Sequence, residues 1–245
     1  MDNLKDLHDL VSKLEKVKDK AEQINILQKI NEKLLTEYEI HISEDEILHP
    51  LRVEAYYYPD QDPDKFNDCC AHLSPKKKNN FGGLYFIEDR YGYPGIDICL
   101  SKGDYYLSFL IKNSYLNSYS LEDPGFRQMD LFERFKNRWE ELEAKRDILR
   151  KKDVPDGTEP VFKTLRVGLK KEATEFSHEL LASLIKIERK NEWFGGFADG
   201  FGKLWMVANY LIEHDLKADD ETIRRLLGSN SKEVKDIYKK ILGEK

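Results

Sequence analysis

Glu54 stands in the run LRVEAYYY, residues 51–58, with Tyr56 and Tyr58 two and four positions on. At a strand's period of two, these three and Arg52 share one face, and Leu51, Val53, Ala55 and Tyr57 share the other. A carboxylate beside aromatic surface is partly stripped of water, which suits proton transfer. The plainer reading is a solvated glutamate paired with Arg52 or a neighbouring lysine. Asp97 alternates with Ile96, Ile98 and Leu100, so it points away from that apolar set, with Cys99 on its own side. It is either a strand-start aspartate or a second functional carboxylate. Lys112 ends the apolar run SFLI and either snorkels out to solvent or enters a polar pocket. Cys69, Cys70 and His72 invite a metal reading. Adjacent cysteines rarely hold one zinc, however, and no second ligand pair has suitable spacing, so no metal is expected. Gly195-Gly196 and Gly200-Phe201-Gly202-Lys203 do not make a phosphate loop, because Leu204 stands where a hydroxyl residue is needed. Such a segment can still open a helix toward an anion.

The elements that must position these residues follow from periodicity. Residues 2–36 read as helix, with Leu4, Leu7, Leu10, Val11 and Leu14 and then Ile24, Leu27, Ile30, Leu34 and Leu35 at spacings of three and four. The charged stretch 16–23 marks a place where one helix ends and another begins. The apolar stripe either packs on the domain or makes a coiled-coil arm. Residues 38–58 read as a hairpin or meander, 59–82 as a long polar loop, and 83–88, 95–101 and 105–113 as three further strands with Gly and Pro turn signals between them. The last is nearly all apolar and is placed centrally in the sheet.

The second half reads as largely helical. A helix over 128–152 carries Met129, Phe132, Phe135 and Trp139 on one stripe and many Lys and Arg on the other. The turn DVPDG stops it. A short strand at 161–168 and a helix at 174–190 with Thr174 as N-cap follow. Helices at 203–215, 220–228 and 231–242 come last, with Ser231 capping the final one. The organisation expected is an N-terminal helix (1–23), an α+β domain (24–190) and a C-terminal helical part (191–245) packed on the same domain. The fold class expected is α+β: a curved, mainly antiparallel sheet of about five to seven strands, with helices around it.

Composition bounds the function. The 245 residues carry 40 Lys and Arg against 46 Asp and Glu, a net charge of −6, which disfavours a general nucleic-acid coat but leaves room for a local basic face. The 40% apolar and 11% aromatic content is enough for a core. No run reaches the ~20 apolar residues that span a bilayer. No signal peptide is visible, and three cysteines make no disulfide framework. A cytoplasmic protein with no membrane partner is expected.

Together, the segment LLTEYEIHISEDEILHPLRVEAYYYP, Gly83-Leu84-Tyr85, Tyr91-Gly92, Asp97 and Phe109-Leu110-Ile111-Lys112 resemble, in order, the alkyladenine (3-methyladenine) DNA glycosylases of the mammalian-type fold. The resemblance covers residues 28–115. Asp97 stands where that family has Asn, and Lys112 where it has Arg. Gly200-Phe201-Gly202-Lys203-Leu204 is similar to the family's late G-P-[GS]-K-L. Arg166-Val167-Gly168-Leu169 is similar to another family segment but comes in the reverse order.

The resemblance implies that a damaged purine is flipped out of duplex DNA, since its glycosidic bond cannot be reached in the stack. Tyr91 would be the wedge that fills the vacated space. Tyr56, His72 and Tyr85 would stack on or bond the flipped base. Glu54 would deprotonate the attacking water, and Lys112 would hold that water or a phosphate. Asp97 would stabilise a cationic sugar or, by repelling DNA, signal altered activity. No metal or organic cofactor is required by this chemistry. Two other readings compete. One is a non-catalytic glycosylase-like module for binding. The other is a helical interaction protein that meets a protein partner through its N-terminal helix.

Overall fold

The computed structural model describes residues 3–59, 68, 70–88, 94–117, 126–153, 161–164, 166, 179, 181–185, 204, 207–208, 211–212, 215–227 and 231–243. Two helices open it, α1 (Lys5–Lys16) and α2 (Lys20–Thr36). Leu7, Val11 and Leu14 make the buried stripe of α1. The chain breaks at residues 17–19, where Asp19 caps α2 by accepting a 2.8 Å hydrogen bond from the Glu22 N–H.

Nine strands follow: β1 (Tyr38–His41), β2 (Ile47–Tyr58), β3 (Phe81–Ile87), β4 (Gly95–Leu100), β5 (Tyr106–Leu116), β6 (Phe126–Arg127), β7 (Leu149–Lys151), β8 (Val161–Thr164) and β9 (Ala182–Ile185). They form one curled sheet in which every described pairing is antiparallel. Its main path runs β3-β4-β5-β2-β1-β7, with β6 beside β5 and the pair β8–β9 joined to β2. The long strand β2 is central. It lies along β5 on one edge, and its other edge meets β1 near Leu48 and β9 near Arg52–Glu54.

Helices α3 (Gln128–Phe135) and α4 (Trp139–Ala144), and at the end α5 (Asp220–Leu227) and α6 (Lys232–Leu242), complete the described elements. The chain is thus α+β, with more strands than the sequence suggests.

The sheet's two faces differ in chemistry because alternate residues point to opposite sides. One rung, Leu84–Ile98–Phe109–Ala55, belongs to the apolar face. Its side chains merge with those of α1, α2, α3 and α4 into one core. The next rung, Tyr85–Asp97–Leu110–Glu54, faces the other way. A bulge at Phe81/Gly83 sets that register, and Gly82 takes the positive φ of 79° it requires.

Three expectations need correction. The helix expected over 128–152 is two short helices followed by strand β7, which pairs with β1. Residues 182–185, expected inside a helix, are strand β9 between β8 and β2. The loop expected to run to residue 82 ends at β3, which starts at Phe81, and it contains a 3-10 turn at Pro75–Lys77. Thr174 and the segment 191–202 lie outside the described residues.

Candidate functional site

The polar face of the sheet gathers most of the residues singled out from the sequence. Glu54 is fully buried on β2. Its Oε2 accepts a 2.9 Å hydrogen bond from the Tyr56 hydroxyl, and its Oε1 lies 3.4 Å from the Arg52 guanidinium. A strand places residues i and i+2 on one side, so Arg52, Glu54 and Tyr56 meet directly. Burial, reinforced by the negative charge of Glu54, pushes the Tyr56 hydroxyl well above its ordinary pKa, so it remains a donor.

Asp97 lies two strands away on the same rung, about 10 Å from Glu54 at ~4.8 Å per strand. It is not paired with Glu54. Lys77 reaches in from the 3-10 turn and sets its Nζ 2.5 Å from Asp97 Oδ2 and 3.2 Å from the Ser108 hydroxyl. The same ammonium sits 5.1 Å from the centre of the Tyr85 ring. Both partners are buried, and among the described residues none hydrogen-bonds Asp97 Oδ1. His72 stacks on Tyr85 with ring centres 5.5 Å apart and planes inclined by 22°.

A third ion pair closes the face. Asp68 and Arg166 are both buried, with Arg166 Nη2 at 3.2 Å from Asp68 Oδ1 and Nη1 bonded to Oδ2. Arg166 Nη1 also donates to the Ala55 carbonyl at 3.2 Å, and its guanidinium lies 4.6 Å over the Tyr56 ring. Burial alone would lower the Arg166 pKa. The Asp68 carboxylate and the neighbouring Tyr56 and Glu54 outweigh it and hold the group above its usual value.

The structure therefore brings together Glu54 with Tyr56, and His72 and Tyr85 with Asp97. Lys112 is set apart. It is the unmatched residue of β5 at a bulge where Asn113 faces Arg52 and Ile111 faces Val53. There it is half-buried and makes no ion pair with a described residue. Tyr91 and Cys69 lie outside the described residues.

Sequence reasoning paired Glu54 with Arg52 only as a solvated contact, whereas both are buried, and it did not find Lys77, Asp68 or Ser108. The signal for Arg52 was present in the period of β2. Lys77 sat in a run of three lysines that looks like solvated charge. Arg166 lay in the Arg-Val-Gly-Leu segment noted for its similarity.

A cleft of about 420 Å³ lies on the outer side of the same turn, lined by Lys76, Lys78, Asn80, Trp139, Glu143 and Arg146 among others. Lys76 is 4.4 Å from the Trp139 ring centre and 2.9 Å from Glu143 Oε2, and Glu143 Oε1 accepts from the Phe86 N–H. This cleft holds neither Glu54 nor Asp97. Among the described residues no three His, Cys, Asp or Glu side chains are gathered as a metal ion would need. Cys99 is buried on the polar face, and burial pushes its thiol pKa up.

No protein-family model matches this chain. No curated protein matches it at a significant level either.

Proposed function

We propose that this polar face is the base-binding surface of a DNA glycosylase-like protein that hydrolyses the N-glycosidic bond of a flipped, damaged purine. One observation carries the reading. Of the residues that the resemblance to alkyladenine DNA glycosylases assigns to the site, Glu54, Tyr56, Tyr85 and Asp97 stand on one face of one sheet and His72 stacks on Tyr85 from the segment before the 3-10 turn, whereas Lys112 is set apart and Tyr91 lies outside the described residues. The Tyr56 hydrogen bond to Oε2 and the Arg52 contact at Oε1 fix the direction of the Glu54 carboxylate.

In the proposed reaction a water held by Glu54 attacks the sugar carbon. The glycosidic electrons leave with the base nitrogen, the water's proton goes to the carboxylate, and the path runs through an oxocarbenium-like state. The stacked His72–Tyr85 pair offers the flipped base an aromatic wall. Lys77 neutralises Asp97, so the second carboxylate does not repel a phosphate-bearing substrate.

A second reading, a glycosylase-like module that binds without catalysis, is favoured by one feature. Each of the three buried carboxylates already has its own cation.

Release of free base from duplex DNA bearing a single hypoxanthine or ethenoadenine, in single turnover, separates the two. The first reading expects release by the wild type and a loss of at least about a hundredfold in Glu54→Gln, the scale of a positioned acid–base group. Release that is equal in both proteins removes Glu54 from the mechanism. No release by either, with saturating folded protein at low salt, leaves the binding module.

A further inference from the structure

The side chains that the proposed function calls on are buried. Tyr85 and Asp97 are closed off from solvent, and so is Cys99, two residues along β4 from Asp97. A ligand reaches them only if a covering segment moves. One covering segment is described throughout, the strap of residues 70–80 that leads into β3.

The strap lies over Cys99 from two sides. Cys99 stands opposite Ser108 on β5 and opposite Gly83 on β3. Lys77 donates to the Ser108 hydroxyl at 3.2 Å. The Asn80 carboxamide lies over Gly83, where a Cβ would collide with its Oδ1, so a glycine at 83 is what leaves it room. Next to them, His72 stacks on Tyr85 and Lys77 pairs with Asp97.

What holds the strap down is polar. Among the described residues, none from 70 to 80 belongs to a buried apolar cluster, and Leu73 is 45% exposed. The backbone of the 3-10 turn closes on itself, Lys77 N–H to the Ser74 carbonyl and Lys78 N–H to the Pro75 carbonyl. Just after the turn, the Asn79 N–H lies 3.3 Å from the Gly103 carbonyl, and Asn79 turns the chain toward β3 with a φ of 50°. The lysines do the rest. Three in succession end over rings on three different elements: Lys76 at 4.4 Å from Trp139 of α4, Lys77 at 5.1 Å from Tyr85 of β3, and Lys78 at 4.8 Å from Tyr106 of β5. Lys76 is exposed and Lys78 half-buried. Cation–ring contacts near solvent are individually weak. A segment with so little buried apolar surface opens well before the fold as a whole.

We propose that the strap 70–80 is a lid on the polar face, latched by Lys76, Lys77 and Lys78, which opens locally to expose Tyr85 and Asp97 to a ligand while the sheet stays folded. Only the identity of that ligand, a flipped purine, rests on the function proposed above. The opening itself does not.

Cys99 reports the opening. The chain has three cysteines, so Cys69→Ser with Cys70→Ser leaves Cys99 as its one thiol. Labelling of the full-length folded protein by a small maleimide is followed by mass at a series of urea concentrations below the unfolding transition. A local opening exposes little surface, so the labelling rate is expected to be nearly flat in urea. Adding Lys76→Ala and Lys78→Ala removes the two outer latches and should quicken labelling about tenfold. Lys151→Ala is the control. It removes an ammonium 6.0 Å from the Tyr38 ring and 3.0 Å from Asp6, on β7 rather than on the strap, and should leave the rate as it was.

Labelling that rises with urea as steeply as global unfolding overturns the proposal. So does a rate unmoved by the two latch substitutions, or one raised as much by Lys151→Ala. Base release from the hypoxanthine duplex is scored on the parent protein. Its absence beside flat, latch-sensitive labelling supports the lid and counts against the glycosylase reading alone.

Discussion

Lys77 comes to the polar face from a turn rather than from the sheet, and its ammonium is the only charge partner recorded for Asp97 among the described residues. A buried carboxylate deprived of its cation keeps its desolvation cost without the compensating attraction. Lys77→Met should therefore destabilise the fold by about 3–5 kcal/mol in urea unfolding. Adding Asp97→Asn should recover a large part of that, because the orphaned charge goes with it. A single variant within about 1 kcal/mol of wild type would mean that the pair contributes little. Of the residues of this face that lie on strands, Glu54, Tyr56, Tyr85 and Asp97 were legible in the sequence and Ser108 of β5 was not. The period of two puts Glu54 beside Arg52 and Tyr56, and sets Asp97 against its apolar neighbours. The residues that complete the ion pairs were not. Lys77, Asp68 and Arg166 come from segments where no period constrains the side chain; Lys77 meets Asp97 across 20 positions of chain, and Asp68 meets Arg166 across 98.

Elements were legible where their contacts are local. The i, i+3, i+4 stripes of α1 and α2 gave both helices and the charged break between them. Strand β7 was hidden inside an apolar–basic pattern that reads as helix. What makes Leu149–Lys151 a strand is the exposed edge of β1, which pairs Tyr38, Glu39 and Ile40 with it from far along the chain. Asp147, with a positive φ of 57°, turns the chain just before it. Strand β9 was missed for the same reason.

One ionic network ties these elements together. Asp6 of α1 accepts from the Tyr38 hydroxyl of β1, from Lys33 of α2 at 3.0 Å and from Lys151 of β7 at 3.0 Å. Burial alone would raise the Asp6 pKa, but these three donors outweigh it and hold the carboxyl well below its usual range. The folded pKa is thus below the unfolded value of about 3.9. The network's contribution is present above that value and is lost as pH falls toward the folded one. Between pH about 5 and about 2, Asp6→Asn should narrow its stability gap to wild type, a gap of roughly 1–2 kcal/mol at neutral pH. Parallel stability-against-pH curves for the two proteins would show that Asp6 stays ionised equally in both states.

At the scale of the whole molecule, the two largest apolar clusters among the described residues have no member in common. One lies between the sheet and α1–α4, the other among the C-terminal helices. A helix needs tertiary burial to persist at the length of α5 or α6, since runs this short are marginal alone. The small cluster is therefore what holds both helices, and Ile237 is one of its few large side chains. Ile237→Ala removes buried methylene and methyl groups and leaves a cavity, at about 2–5 kcal/mol. That cost should fall on the C-terminal helices. Amide exchange should quicken across α6, while the ladder between β2 and β5, whose register runs from Leu48 to Tyr58, keeps its protection. If exchange quickens equally in β2 and β5, the two clusters unfold as one unit.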